Sequence, residues 1–184
     1  MLFAAKREGD SLSTTKSRLL AGASAAAIAG SVLAVSPIAV TAASAAPTTS
    51  HIRVKDVAQA EKVRERIVET AKRQVGDRYI LGSTGPGAFD CSGLVQFSYR
   101  KVTGKTLPRT SYQLARSVKR IKASNRRVGD LVFFNGNGHV AIYAGKGRIV
   151  HASNPRRGVR MDSLSGWYRS TLGGYGRVVS SHGR

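Results

Sequence analysis

Cys91 is the one cysteine among 184 residues, and it sits in the run Phe89-Asp90-Cys91-Ser92-Gly93-Leu94-Val95. A lone thiol has no internal disulfide partner. Behind an export-type N-terminus, an unpaired cysteine indicates intermolecular pairing or a reactive thiol. Asp90 is suited to cap a helix whose first turn carries Cys91, so the thiol would face unsatisfied N–H groups and the positive end of the dipole. Such a place is expected to lower a cysteine pKa from about 8.5 into a window of roughly 3.5–7.5. A buried structural cysteine is the alternative, since free cysteines pack readily among apolar helices.

Two of the four histidines flank an expected hairpin. His139-Val140-Ala141-Ile142-Tyr143-Ala144 is followed by Gly145-Lys146-Gly147 and then Arg148-Ile149-Val150-His151. A three-residue loop with Gly147 left-handed is a common connection. It pairs Ala144 with Arg148 and, counting outward, Ala141 with His151. His139 and His151 then become diagonal neighbours on one face, about 7–8 Å apart. Val140, Ile142 and Val150 fall on the other face. A loop one residue longer or shorter would separate the rings. A base and an orienting partner beside a thiol make a nucleophilic site, with His139 holding the Cys91 proton and His151 fixing the His139 tautomer. Zinc needs three or four ligands, and two histidines with one cysteine lack any recognised spacing for it. No metal or cofactor is expected. His51 and His182 lie near the chain ends and read as solvated.

These groups must be held by helices and then by strands. Val57, Ala60, Val63, Ile67, Ala71 and Val75 recur at helical spacing, with Asp56 as N-cap and Gly76 as stop. Residues 79–88 are rich in Gly and Ser and read as a loop. The cysteine helix is expected from Cys91 to Thr103, closed by Gly104 as a left-handed cap. Thr110 would cap a short helix through Arg116. After Gly129-Asp130 the period changes to strand, over 131–134, 140–144 and 148–152, with weaker candidates at 159–161 and 177–179. Helices followed by consecutive strands argue an α+β domain with an antiparallel sheet.

The N-terminus divides like an export signal. Lys6, Arg7, Lys16 and Arg18 lead, no residue from Leu19 to Ala46 is charged, and Ala43-Ser44-Ala45 offers a cleavage site. A retained membrane anchor is the rival, although the stretch is mostly Ala, Ser and Gly and is broken by Pro37. The expected division is a signal peptide at 1–45, a leader at 46–55 and one domain at 56–184. The whole chain carries a formal charge of +20, and the first 45 residues hold four basic and two acidic groups, which leaves +18 beyond them. No zinc-finger spacing, basic zipper or aromatic-interleaved basic motif accompanies that excess, so nucleic acid is not the expected partner. Anionic cell-wall polymers, with transient contact to a membrane surface, fit an exported basic protein better. Without disulfides, the core must suffice by packing.

Four segments taken together resemble the NlpC family of bacterial cell-wall cysteine peptidases. They are Phe89 to Val95, Leu107-Pro108-Arg109-Thr110-Ser111, Gly129 to Phe134, and His139 to Tyr143 with Val150-His151-Ala152. Their order and spacing are specific as a set, and the similarity runs over roughly 67–179. The resemblance implies a papain-like fold, with the nucleophile helix packed on an antiparallel sheet. It implies a triad of Cys91, His139 and His151, with Tyr79 beside the site and Asp90 and Ser92 binding the free amino end of a stem peptide. Arg109 and Ser111 match as well. The run Tyr79-Ile80-Leu81-Gly82-Ser83 departs from the family's usual aromatic and second glycine, which bears on the substrate groove. The expected activity is hydrolysis of peptidoglycan stem peptides outside the cell, as a D,L-endopeptidase at the D-glutamyl to diamino acid bond. An amidase or antibacterial toxin with the same site, or a non-catalytic basic wall-binding module, are the competing readings.

Overall fold

The computed structural model describes residues 50–181. The expected signal peptide at 1–45, its cleavage site, residues 46–49 and His182 lie outside the described residues. Elements follow in the order β1 (Ile52–Val54), α1 (Val57–Lys72), β2 (Arg78–Tyr79), β3 (Ala88–Phe89), α2 (Cys91–Thr103), α3 (Ser111–Ser117) and β4 (Lys119–Ile121). After them come β5 (Leu131–Phe134), β6 (His139–Gly145), β7 (Arg148–Ala152), β8 (Val159–Ser163), α4 (Trp167–Ser170), β9 (Leu172–Arg177) and β10 (Val179–Ser181).

Local chemistry sets the helix ends. Asp56 accepts from the Gln59 N–H at 2.7 Å and starts α1. Gly104 closes α2 at φ 71°, where a side chain would be strained. Thr110 and Gln113 form a reciprocal capping box that starts α3. Helix α1 ends at Lys72 rather than at Gly76, with the intervening residues in turns.

Six strands form one antiparallel sheet in the order β4-β9-β5-β6-β7-β8. One face packs against the helices, where Ile67, Leu94 and Tyr99 meet Phe133, Val140, Ile142 and Val150. The other face buries Val132, Phe134, Ala141, Tyr143, Ile149 and Tyr175. Burying each large apolar side chain contributes about 1.5–3 kcal/mol. Helix α2 packs on β6 and β7 across the first face, and Cys91 at its start meets the Val140 N–H near the beginning of β6. The fold is the expected papain-like α+β arrangement.

Several strands depart from the sequence expectation, among them the short pair β2 and β3 at the two ends of the segment read as a loop. Residues 52–54, read as part of a leader, pair with β10 in parallel, and the Ser50 N–H donates to the Ser117 carbonyl at 3.0 Å. The 177–179 candidate is two strands, β9 and β10, meeting at Val178. Strand β9 lies between β4 and β5, and Gly174 and Gly176 let its neighbours approach closely: a Cβ on Gly176 would lie 2.3 Å from a Val118 methyl. Strand β4 pairs with β9 at the sheet edge. Among the described residues no helix is long and apolar enough to cross a membrane.

Candidate functional site

Cys91 is the first residue of α2, half-buried, with Asp90 as N-cap. Asp90 Oδ1 accepts from the Gly93 N–H at 2.7 Å, and Oδ2 accepts from the Gly82 N–H at 2.8 Å. The helix start therefore presses on the preceding loop. A Cβ at Gly93 would lie 2.0 Å from the Ser83 carbonyl oxygen, so only glycine fits there.

Arg109 completes this corner. It donates from Nη1 to Asp90 Oδ1 at 3.0 Å and to Ser92 Oγ at 2.9 Å, and its Nη2 reaches Asp90 Oδ2. Burial opposes ionisation of Asp90, yet the hydrogen bonds from Arg109, Gly93 and Gly82 hold its pKa below the usual range. Arg109 is thus tied to the N-cap of the helix that Cys91 opens rather than to the protein surface alone. Tyr79, on β2, has its pKa raised by burial first and then by the charges of Cys91 and Asp90, which sets it beside both.

The thiol departs from the expectation of a depressed pKa. Burial is the largest influence and pushes Cys91 up, and the Asp90 charge adds to it. The N–H groups of Val140, Ser92 and Cys91 itself pull the other way without reversing the sign. The Val140 contact puts the sulfur against the start of β6, one residue from His139.

The two histidines meet. His139 Nε2 lies 2.8 Å from His151 Nδ1, with ring centroids 5.1 Å apart and planes at 77°. The register responsible is Ile142 opposite Val150 and Tyr143 opposite Ile149, which extends outward to Ala141 opposite His151. The turn itself differs from the expected three-residue loop. Gly145 pairs with Arg148, leaving Lys146 and Gly147 as the turn at φ 50° and 68°, and a bulge at Ala144–Gly145 absorbs the extra residue. Burial, followed by the charge of His151, pushes His139 down to about 3. Burial likewise lowers His151, which is 1% exposed. Both rings are neutral at pH 7.

Beyond His151 lies a polar cluster that the sequence reading did not include. His151 Nε2 is 3.2 Å from Asp162 Oδ2 and 3.2 Å from the Tyr168 hydroxyl. Tyr168 donates to Asp162 Oδ2 at 2.8 Å, and Arg160 Nε donates to Oδ1 at 2.7 Å. Asp162 stands opposite Ile149 on β8, on the same face as His151, so the diagonal relation seen in the hairpin repeats one strand further. A cavity of about 320 Å³ opens beside the histidines, lined by His139, His151, Ser153, Arg157, Trp167 and Tyr168. Among the described residues no group of three or more His, Cys, Asp or Glu is arranged to hold a metal ion.

The sequence profile of the NlpC/P60 family matches residues 76–174, which contain every one of these groups. The chain belongs to the NlpC/P60 family. A Listeria monocytogenes protein named "Probable endopeptidase p60" is 41% identical over 117 residues, covering 61% of this chain and 23% of that protein. The Bacillus subtilis bifunctional muramidase/DL-endopeptidase CwlT is 37% identical over 137 residues, covering 70% of this chain and 41% of that protein. The chain thus spans less than half the length of these relatives. The crystal structure of an NlpC/P60 family protein from Bacillus cereus superposes with a TM-score of 0.59 at 31% identity, over 62% of this chain and 40% of that one.

Proposed function

We propose that this NlpC/P60 chain is a cysteine peptidase that hydrolyses amide bonds in the stem peptides of peptidoglycan. The observation that carries this reading is the 2.8 Å pairing of His139 with His151 at the end of the sheet where Cys91 opens α2. With a half-buried thiol held up and a half-buried imidazole held down by desolvation, the resting pair is neutral. The Cys91 proton passes to His139 as the sulfur attacks the carbonyl carbon. N–H groups at the start of α2, including that of Cys91, face the developing oxyanion. His139 returns the proton to the leaving amine, and water then cleaves the thioester. Asp90, Ser92 and Tyr79 flank the nucleophile on the side assigned to the free amino end of the stem peptide. The bond cut is that between D-glutamate and the following diamino acid. Export by the 1–45 signal peptide brings the protein to the wall, and its basic surface holds it to anionic wall polymers.

The test is mass spectrometry of defined stem peptides after digestion by the wild-type and Cys91→Ala proteins. Two products split at the D-glutamyl bond, present only with wild type, are expected. Cleavage elsewhere would overturn the bond assignment, and equal cleavage by Cys91→Ala would overturn the mechanism. N-terminal sequencing of the secreted protein should begin near Ala46; a retained Met1 in a membrane fraction would favour an anchor.

A further inference from the structure

We propose that Asp162 is a positioning residue that dictates where the protons sit on both histidines, leaving His139 Nδ1 unprotonated as the base. This rests on the reading of Cys91 and His139 as nucleophile and base.

Asp162 is ionised: burial opposes this, but hydrogen bonds from Tyr168, Arg160 and His151 hold its pKa below the ordinary value. An ionised carboxylate only accepts. Its Oδ1 takes the Arg160 Nε–H, and its Oδ2 takes the single Tyr168 hydroxyl proton. With its one hydrogen donated to Asp162 in a hydrogen bond, Tyr168 presents only lone pairs to His151. Both neighbours of His151 Nε2, at 3.2 Å each, are therefore acceptors, and Nε2 must carry the hydrogen. A neutral His151 with its hydrogen on Nε2 offers a lone pair at Nδ1. His139 Nε2, 2.8 Å away, must then be the donor. A neutral His139 with its hydrogen on Nε2 has its lone pair on Nδ1, the nitrogen left for the thiol.

No other arrangement satisfies every contact. Were His151 protonated on Nδ1 instead, His139 would have to accept at Nε2 and carry its hydrogen on Nδ1. It could not then take a proton from sulfur. The choice between a competent and an incompetent base is made two residues away, on β8.

Asp162→Asn keeps the shape and exchanges one acceptor for a donor. Arg160 requires an oxygen opposite its Nε–H, so the amide nitrogen turns toward His151 Nε2 and favours the wrong tautomer on both rings. Nitrogen-15 NMR of the histidine rings in the whole protein reads this directly, beside steady-state kinetics on a synthetic peptide containing the D-glutamyl to diamino acid bond. Wild type and Cys91→Ala should both show Nε2–H on His139 and His151. Asp162→Asn should move the hydrogen to Nδ1 and lower kcat by up to about 10⁴-fold, the loss that follows when an Asp-to-Asn change leaves a catalytic histidine in the wrong tautomer with its geometry intact, while KM changes little. Asp162→Glu keeps an ionised acceptor and should retain the Nε2–H tautomers. An Nδ1–H on either ring in wild type would overturn the proposal, as would Nε2–H persisting in Asp162→Asn. Full peptide turnover by Cys91→Ala would sink the cysteine mechanism instead, and the ring spectra would still decide the role of Asp162.

Discussion

Lowering the pH from about 7 to about 5 should cost this fold about 2 kcal/mol through His139 alone. An unfolded imidazole ionises near 6.5, whereas burial, with the charge of His151 adding, pushes His139 down to about 3. Between those values the unfolded chain binds a proton that the folded chain does not. Stability is therefore fully present above about 6.5 and falls as the pH drops toward 3. His151 is lowered by burial as well and acts in the same direction. Asp90 and Asp162, both held below the ordinary carboxylate range, add stability that is lost only further into acid, below about 4. The window from 7 to 5 thus isolates the histidines. With a urea dependence of about 1–3 kcal/mol per molar, the His139 share moves the unfolding midpoint by about 1 M. His139→Gln puts a non-titrating amide in the same place and should shrink the pH-dependent loss by about 2 kcal/mol. Equal losses in the two proteins would mean that the folded pair takes up a proton as readily as a free ring, and burial would not govern His139.

His139→Ala should approach the activity loss of Cys91→Ala, whereas His151→Ala should leave residual turnover that His151→Asn partly restores, because an amide oxygen accepts from His139 Nε2–H; a kinetically silent His151→Ala would break the pairing's relevance. Gly93→Ala should destabilise the fold by about 1–3 kcal/mol, since the added carbon meets the Ser83 carbonyl, and kcat should fall with it as the helix start shifts. A urea melt and a rate unchanged from wild type would contradict that contact. Binding to isolated walls should weaken steeply with salt while turnover of a short neutral peptide changes little, given the +18 balance beyond residue 45. Equal salt sensitivity in the two assays would remove surface charge as the targeting device.

Helices α1, α2 and α3 were legible because their signals are local, whereas α4, which has no side-chain cap, was not. Asp56, Asp90 and Thr110 each accept from the N–H three residues ahead, a contact that needs nothing from the rest of the chain. Strands β1 and β9 were not. Leu172-Gly173-Gly174-Tyr175-Gly176-Arg177 has no alternation to read, because its glycines answer to Val118 and Arg120 across the sheet. Residues 52–54 are held by β10, far along the chain. Asp162 was hidden for the same reason. Its register depends on the turn between β7 and β8, residues 153–158, and short turns alone fix register from sequence.

The histidine pair lay nearest to misreading. A two-residue turn at Lys146–Gly147 without a bulge would have carried the Gly145–Arg148 pairing outward, setting Ile142 opposite His151 and turning His151 to the helix-facing side. The bulge at Ala144–Gly145, with Gly145 at φ 86°, restores the phase within one residue. The thiol marks the opposite limit. Its neighbours in sequence supply the N–H groups that would lower its pKa, and those contacts are present. What the sequence could not weigh was the sheet closing over the same sulfur, and desolvation outweighs those contacts. The same burial that raises the thiol lowers His139, so the two groups move apart together and the resting proton stays on sulfur. A base that must be neutral and correctly oriented before attack gains most from a fixed tautomer. That places the chemical demand on His151 and, through it, on Asp162.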